Sequence, residues 1–261
     1  MTILDSTRAV LADAVIDGNR LRLVGQLDRS EYARVNKVLE GLGGKWNRKA
    51  GAHVFASDPT DALAAILGGA KVPGPARTEE GFVATPVALA AEIVRDHTRI
   101  ADLSAGSHVL EPSAGTGAFV NAVRAANRGV KISAVEPNEA RARTISVDEL
   151  MTLWLMTFER FTDDGHAPFD AIVMNPPFAV PGSPTLWIDH VRLAWNLLAP
   201  GGRLTAIVPA SLGFRKDRRH EEMRALVAEF GGSAELPVGA FASQGTGVHT
   251  MVLWLDRPVN A

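Results

Sequence analysis

The chain has no cysteine. That absence removes disulfide frameworks, thiolate zinc sites and cysteine nucleophiles together, and it predicts a cytoplasmic protein. Long apolar runs are missing too, so no segment reads as a membrane span. The first twenty residues carry acidic side chains inside their apolar stretch and lack a basic start, which argues against a signal peptide. Charge of one sign is not in excess: 27 Lys and Arg against 29 Asp and Glu leave a formal net charge of -2. Polyanion binding therefore has no global signal, although a local basic face can still provide it. Internal repeats are absent, and the one compositionally biased tract is "GGAKVPGPARTEEG".

What is present is ordinary for a globular enzyme, with 46% hydrophobic and 21% charged residues. A chain of 261 residues accommodates one substantial α/β domain with a smaller attachment, or two modest domains. Residues 1–72 read as a small α+β module. In it "NRLRLVGQL" is a strand, "DRSEYARVNKVLEGLGG" a helix capped by Asp28 or Ser30, and "KWNRKAGAHVF" two short strands around a turn at Gly51. A helix, "DPTDALAAIL", follows, and residues 73–80 read as a linker. From residue 81 to 261 strand and helix patterns alternate, which predicts a mostly parallel sheet covered on both faces. The last two strands, "GSAELP" and "VHTMVLWL", have no helix between them and predict an antiparallel end. "EARARTISVDEL" reads as a helix.

Three stretches carry chemistry. In "VLEPSAGTGAFV", Gly115 and Gly117 follow a strand and open a helix, where glycine lets a ligand approach the backbone; a plain tight turn explains the same residues. Glu136 ends the next strand, "ISAVEP", placed to accept hydrogen bonds from both ribose hydroxyls of an adenosine cofactor; a solvated strand-end carboxylate is the alternative. The third is "FDAIVMNPPFAV", a buried strand that stops on Asn175-Pro176-Pro177-Phe178. Two prolines fix φ and donate no hydrogen, so the turn offers acceptors, and Phe178 adds a flat apolar face. Two acceptors beside a stacking surface suit a planar base with an exocyclic amino group; a proline-terminated strand with Phe178 in the core is the alternative. No metal is required.

On these residues, 81–256 resemble the class I S-adenosylmethionine-dependent methyltransferases, and in motif order the gamma-type adenine-N6 DNA methyltransferases. The resemblance implies a Rossmann-like methyltransferase sheet with S-adenosylmethionine as cofactor and DNA, ahead of RNA, as partner. By residue it implies that Thr85 and Pro86 help hold the methionine end of the cofactor. Glu111, Ser113, Ala114, Gly115, Gly117 and Phe119 form the cofactor loop, Glu136 takes the ribose, and Asn175, Pro176, Pro177 and Phe178 are catalytic on a flipped-out base. Two departures stand out. Thr157-Phe158 occupies the place where the family has an acidic residue before an aromatic one, leaving Phe158 to stack on the cofactor's adenine. No recognition domain follows the catalytic pattern within the 261 residues, so specificity is expected from the N-terminal module, short loops or a partner, or to be weak.

Three segments are candidates for contacting nucleic acid. "GGKWNRKAGAHVF" interleaves Lys45, Arg48 and Lys49 with Trp46; a hairpin with Trp46 and Phe55 in a mini-core explains it equally. Trp154, Trp187, Trp195 and Trp254 read as core positions. The basic loop "FRKDRRH" offers Arg215, Lys216 and Arg218 to phosphates, or is a solvated helix start. The resemblance makes Phe241, in a Gly-rich loop, the partner of Phe178 on the other face of the base. The function so implied is methylation of adenine N6 in DNA. An RNA base methyltransferase, at guanine N2 or adenine N6, is the alternative enzyme, and an inactive cofactor-binding module the alternative of another class.

Overall fold

The computed structural model describes residues 3–55, 58–69, 80–166 and 168–259. The chain divides into two compact units, Met1–Phe82 and Val83–Ala261. The expected linker, 73–80, lies outside the described residues except for Glu80.

The N-terminal unit contains helices α1 (Asp5–Ala12), α2 (Arg29–Gly41) and α3 (Thr60–Leu67) and strands β1 (Val15–Asp17), β2 (Arg20–Arg22), β3 (Lys45–Asn47) and β4 (Ala52–Val54). The strands form an antiparallel sheet in the order β1-β2-β4-β3. Helix α2 starts where the Asp28 carboxylate accepts from the backbone N–H of Ser30 and Glu31. Its Val35, Val38 and Leu39 lie on one face and close a core with Leu21, Phe55, Leu63 and Ile66. Strand β2 is shorter than "NRLRLVGQL" suggests, and α1 and β1 were not foreseen.

The second unit holds a seven-stranded sheet. Its strands are β5 (His108–Glu111), β6 (Lys131–Val135), β7 (Met151–Trp154), β8 (Phe169–Met174), β9 (Leu198–Pro209), β10 (Gly231–Glu235) and β11 (Thr250–Asp256). The order is β10-β11-β9-β8-β5-β6-β7, and β11 alone runs against its neighbours. Strand alternation splits the core into two clusters. Val109, Ala171, Val173 and Ile207 face α4 (Val87–His97) and α5 (Ala118–Ala126). Leu110, Ile172, Met174 and Ala206 face α7 (Phe158–Asp163), α8 (Leu186–Asn196) and α9 (Arg218–Phe230). Between β6 and β7, the expected helix "EARARTISVDEL" forms only a single turn, α6 (Glu139–Ala142). It ends because Thr144 turns its hydroxyl back onto the Arg141 carbonyl, and Met151–Trp154 goes into a strand instead.

The sheet order reverses at β5, whose neighbours are β6 on one side and β8 on the other. All three are parallel, so Glu111, Glu136 and Asn175 lie together at their carboxyl ends, where open α/β sheets bind ligands.

Candidate active site

The apolar strand β5 ends on Glu111, a carboxylate only 1% exposed. Its Oε1 accepts from the Ser113 backbone N–H at 2.9 Å and from the Ser113 hydroxyl at 3.4 Å. Burial pushes its pKa up to about 8, with the neighbouring Glu136 charge adding to the shift, against the pull of the Ser113 hydrogen bonds. The loop then turns through Gly115 at φ 55° and Gly117 at φ 87°, left-handed positions that L side chains avoid. At Gly117 a Cβ would also stand 3.3 Å from Ile145. Ala114 donates to the Val135 carbonyl at 2.9 Å, which binds the loop to β6.

Glu136, 3% exposed, does more than wait for a ribose. Its Oε2 accepts from the Gly115 backbone N–H at 2.9 Å. Its Oε1 accepts from Asn138 N–H at 2.7 Å and from Arg141 Nη2 and Nε at 2.7 and 3.1 Å. The carboxylate stands at the strand end with four protein donors on it, three of them on Oε1. Sequence reasoning missed Arg141, although a basic residue five positions after the acid, one helical turn into α6, is the signal that could have found it.

Strand β8 delivers the Asn-Pro-Pro-Phe turn. The Asn175 amide nitrogen donates to the Val83 carbonyl at 3.1 Å and to the Thr85 hydroxyl at 3.0 Å. A backbone carbonyl can only accept, so the Val83 contact identifies the nitrogen. Both amide hydrogens are thereby used, and Oδ1 is left as an acceptor. Among the described residues no hydrogen bond reaches Oδ1 or the Pro176 carbonyl. Phe178 is half-buried and packs against both core clusters at the end of the sheet. The leading segment expected to hold a cofactor therefore also sets the orientation of Asn175.

Other expected residues sit elsewhere. Phe119 (2% exposed) and Phe158 (3%) are core side chains, the latter ring against ring with Phe161 and His190. Thr157 is exposed and caps α7 by accepting from Arg160 N–H, which gives a reason for a hydroxyl at that position. Phe241, expected on a mobile loop opposite Phe178, is 2% exposed, because the short turn Ala242–Gln244 folds it into the α4–α5 side of the core. In the basic loop Arg215 pairs with Asp217 at 2.8 Å, Arg218 with Glu222 at 2.7 Å and Arg219 with Asp189, so three of its four cations are ion-paired. Trp46 is 50% exposed while Phe55 is buried, so the hairpin's mini-core takes the second aromatic and not the first. Trp187 is buried, and Trp154, Trp195 and Trp254 are half-buried against the clusters. No group of acidic or histidine side chains among the described residues could hold a metal ion. No helix among them is long and apolar enough to cross a membrane.

Residues 87–232 match the family model described as methyltransferase small domain. The chain belongs to that family. This methyltransferase adopts the Rossmann-like methyltransferase fold, and its cofactor is S-adenosylmethionine. No match was found among curated proteins. Solved structures share the fold. A Listeria monocytogenes protein described as a class I S-adenosylmethionine-dependent methyltransferase has a TM-score of 0.51 at 14% identity, over 97% of this chain and 85% of its own. The type IIG restriction endonuclease BpuSI has a TM-score of 0.55 at 19% identity, over 68% of this chain and 26% of its own. A Pyrococcus horikoshii protein described as an RNA methyltransferase has a TM-score of 0.50 at 14% identity, over 67% of this chain and 86% of its own.

The donor set fits that cofactor. Glu111 is a buried acid with one oxygen that takes no hydrogen bond among the described residues, and a cation placed beside it would favour its ionised form. The left-handed glycines keep side chains off the backbone where a ligand approaches.

Proposed function

We propose that this methyltransferase methylates the exocyclic amino nitrogen of a nucleic-acid base, with adenine N6 in DNA as the first reading. The observation that carries the proposal is the fixed amide of Asn175, whose two donations to Val83 and Thr85 leave a preset acceptor beside the Pro176 carbonyl. S-adenosylmethionine supplies an electrophilic methyl group on a sulfonium. The residues of the turn do the rest. An amino nitrogen on an aromatic ring is a poor nucleophile because its lone pair is delocalised. Acceptance of both N–H bonds by Asn175 Oδ1 and the Pro176 carbonyl favours a pyramidal nitrogen and stabilises the positive charge that grows there as the N–C bond forms and the methyl's bond to sulfur breaks, after which the nitrogen's surplus proton passes to water. Phe178 offers the face on which a base swung out of its stack is held, at a cost of a few kcal/mol for unstacking.

An RNA base, at guanine N2 or adenine N6, is the second reading. The turn selects an amino group on a flat ring, and both substrates present one. The choice of DNA rests on the motif order and the leading Thr85-Pro86 segment. Incubation with labelled S-adenosylmethionine and separate pools of duplex DNA, single-stranded DNA and ribosomal RNA, followed by digestion to nucleosides, decides between them. N6-methyladenine from DNA supports the first reading, and 2-methylguanine from RNA replaces it with the second. Absence of label in every pool, with the cofactor bound, overturns both.

A further inference from the structure

The two units treat their positive side chains differently. In the catalytic unit most surface arginines are ion-paired, as Arg143 is with Glu139, Arg192 with Glu222 and Arg215 with Asp217. In the N-terminal unit Arg20, Arg22, Lys45, Arg48 and Lys49 are exposed, and none of them makes an ion pair or side-chain hydrogen bond among the described residues.

The sheet gathers these five cations. Leu21 is fully buried under α2 and α3, so strand alternation sends Arg20 and Arg22 to the face away from the helices. Register extends that face: Arg20 pairs with Val54, and Val54 with Lys45, so the three share one rung and one side. Arg20 and Lys45 flank β4 and are therefore about 10 Å apart at the backbone, two strand spacings. Beyond Asn47 the chain turns, with Asn47 Oδ1 accepting from Ala50 N–H at 3.0 Å and Gly51 at φ 58°, and the turn carries Arg48 and Lys49. The one carboxylate on the four strands is Asp17, opposite Arg20. Trp46 alternates to the other side of edge strand β3, sharing its rung with His53 and Leu21, and is 50% exposed and edge-on to His53 at 5.2 Å. His53 is itself buried and bonded to Asn36 at 2.8 Å, which makes its support rigid.

Unpaired cations spaced along a sheet complement a phosphodiester backbone, and an exposed indole round the edge strand from them complements an unpaired base that passes over that edge. We infer that the outer face of the N-terminal sheet is this protein's phosphate-binding surface. Arg20 and Arg22 act there with Lys45, Arg48 and Lys49, and Trp46 stacks on a base. The inference rests on the reading of a nucleic-acid substrate, but it concerns binding and not chemistry.

The test is fluorescence anisotropy with the full chain, without methyl donor, on labelled 20-base-pair DNA and RNA duplexes between 50 and 200 mM salt. Five phosphate contacts give a log-log salt slope of about 4 to 5, or roughly 500-fold weaker binding across that range. R20Q/R22Q should lower the slope by about 1.8, and R48Q/K49Q by as much, whereas R20K/R22K should keep it. W46A should weaken binding to a single-stranded oligonucleotide about 5- to 150-fold and leave the duplex slope alone. Wild-type slopes in both Gln pairs, a fall in slope on R215Q/K216Q/R218Q instead, or equal affinity for polyglutamate would overturn the inference. The tighter of the two duplexes identifies the source of the backbone. Should the slopes behave as expected with no methyl transfer to any nucleic acid, the proposed function fails and the surface stands. Methyl transfer with invariant slopes has the opposite meaning.

Discussion

Replacing Asn175 by Ala removes one acceptor from the reacting nitrogen and releases the Val83 carbonyl and Thr85 hydroxyl from their shared donor. The acceptor term should dominate. Loss of one preorganised hydrogen-bonding group at developing charge costs about 10² to 10³ in rate, or about 2.7 to 4 kcal/mol. The two lost donations contribute about 1 kcal/mol each to stability, too little to unfold a domain of this size. Thr85→Val separates orientation from acceptance: it deletes one of the two bonds that hold the amide, keeps Oδ1, and should cost only about 2- to 10-fold. Single-turnover methylation at saturating donor, with donor affinity measured by calorimetry on the same samples, reads both effects. Asn175→Ala should lower the turnover with donor affinity little changed, Thr85→Val should lower it slightly, and Thr85→Ser should restore it. An Asn175→Ala protein that is folded and within tenfold of the wild-type rate would refute the role of Oδ1. A Thr85→Val protein with normal turnover and weakened donor binding would mean that Thr85 touches the donor and does not position Asn175.

Gly117→Ala meets both a left-handed φ of 87° and Ile145 at 3.3 Å, and should lower stability by about 1 to 3 kcal/mol, read from a chemical denaturation midpoint. Glu111 sets a pH dependence. Its folded pKa of about 8 lies above the unfolded carboxylate value of 4.5, so the folded state holds the extra proton between the two. Its contribution is complete below about pH 4.5 and lost as pH rises through about 8; denaturation midpoints at pH 5 and pH 8 should therefore differ less in Glu111→Gln than in the wild type. Asp217→Ala removes the cap that accepts from His220 N–H at the start of α9 and should lower the denaturation midpoint, whereas Asp217→Asn should keep most of it.

The catalytic unit was largely legible because its signals are local. Apolar strands ending on Glu111, Glu136 and Asn175, with helical patterns between them, are enough to place three motifs on one edge of a sheet. Beyond residue 139 the local signal misled, since an Asn138 cap and helix-favouring residues start a helix that Thr144 ends within a turn. Four-residue β7 has too few positions for alternation to show. The contact between Asn175 and the Val83–Thr85 segment spans some 90 residues and leaves no local trace, so Thr85 was connected to the site by resemblance and to Asn175 only by the structure. Phe241 shows the opposite error: glycines around it suggested mobility, while its burial is decided by helices far away in sequence.

The Glu136 carboxylate has a further consequence. On the proposed ribose-binding role, hydroxyls that reach it share the carboxylate with Arg141, so the gain on docking is the difference between two sets of charge-assisted bonds. Under that role the arginine, tethered one turn away, competes at an effectively fixed concentration with incoming and spent cofactor alike and weakens the hold on both.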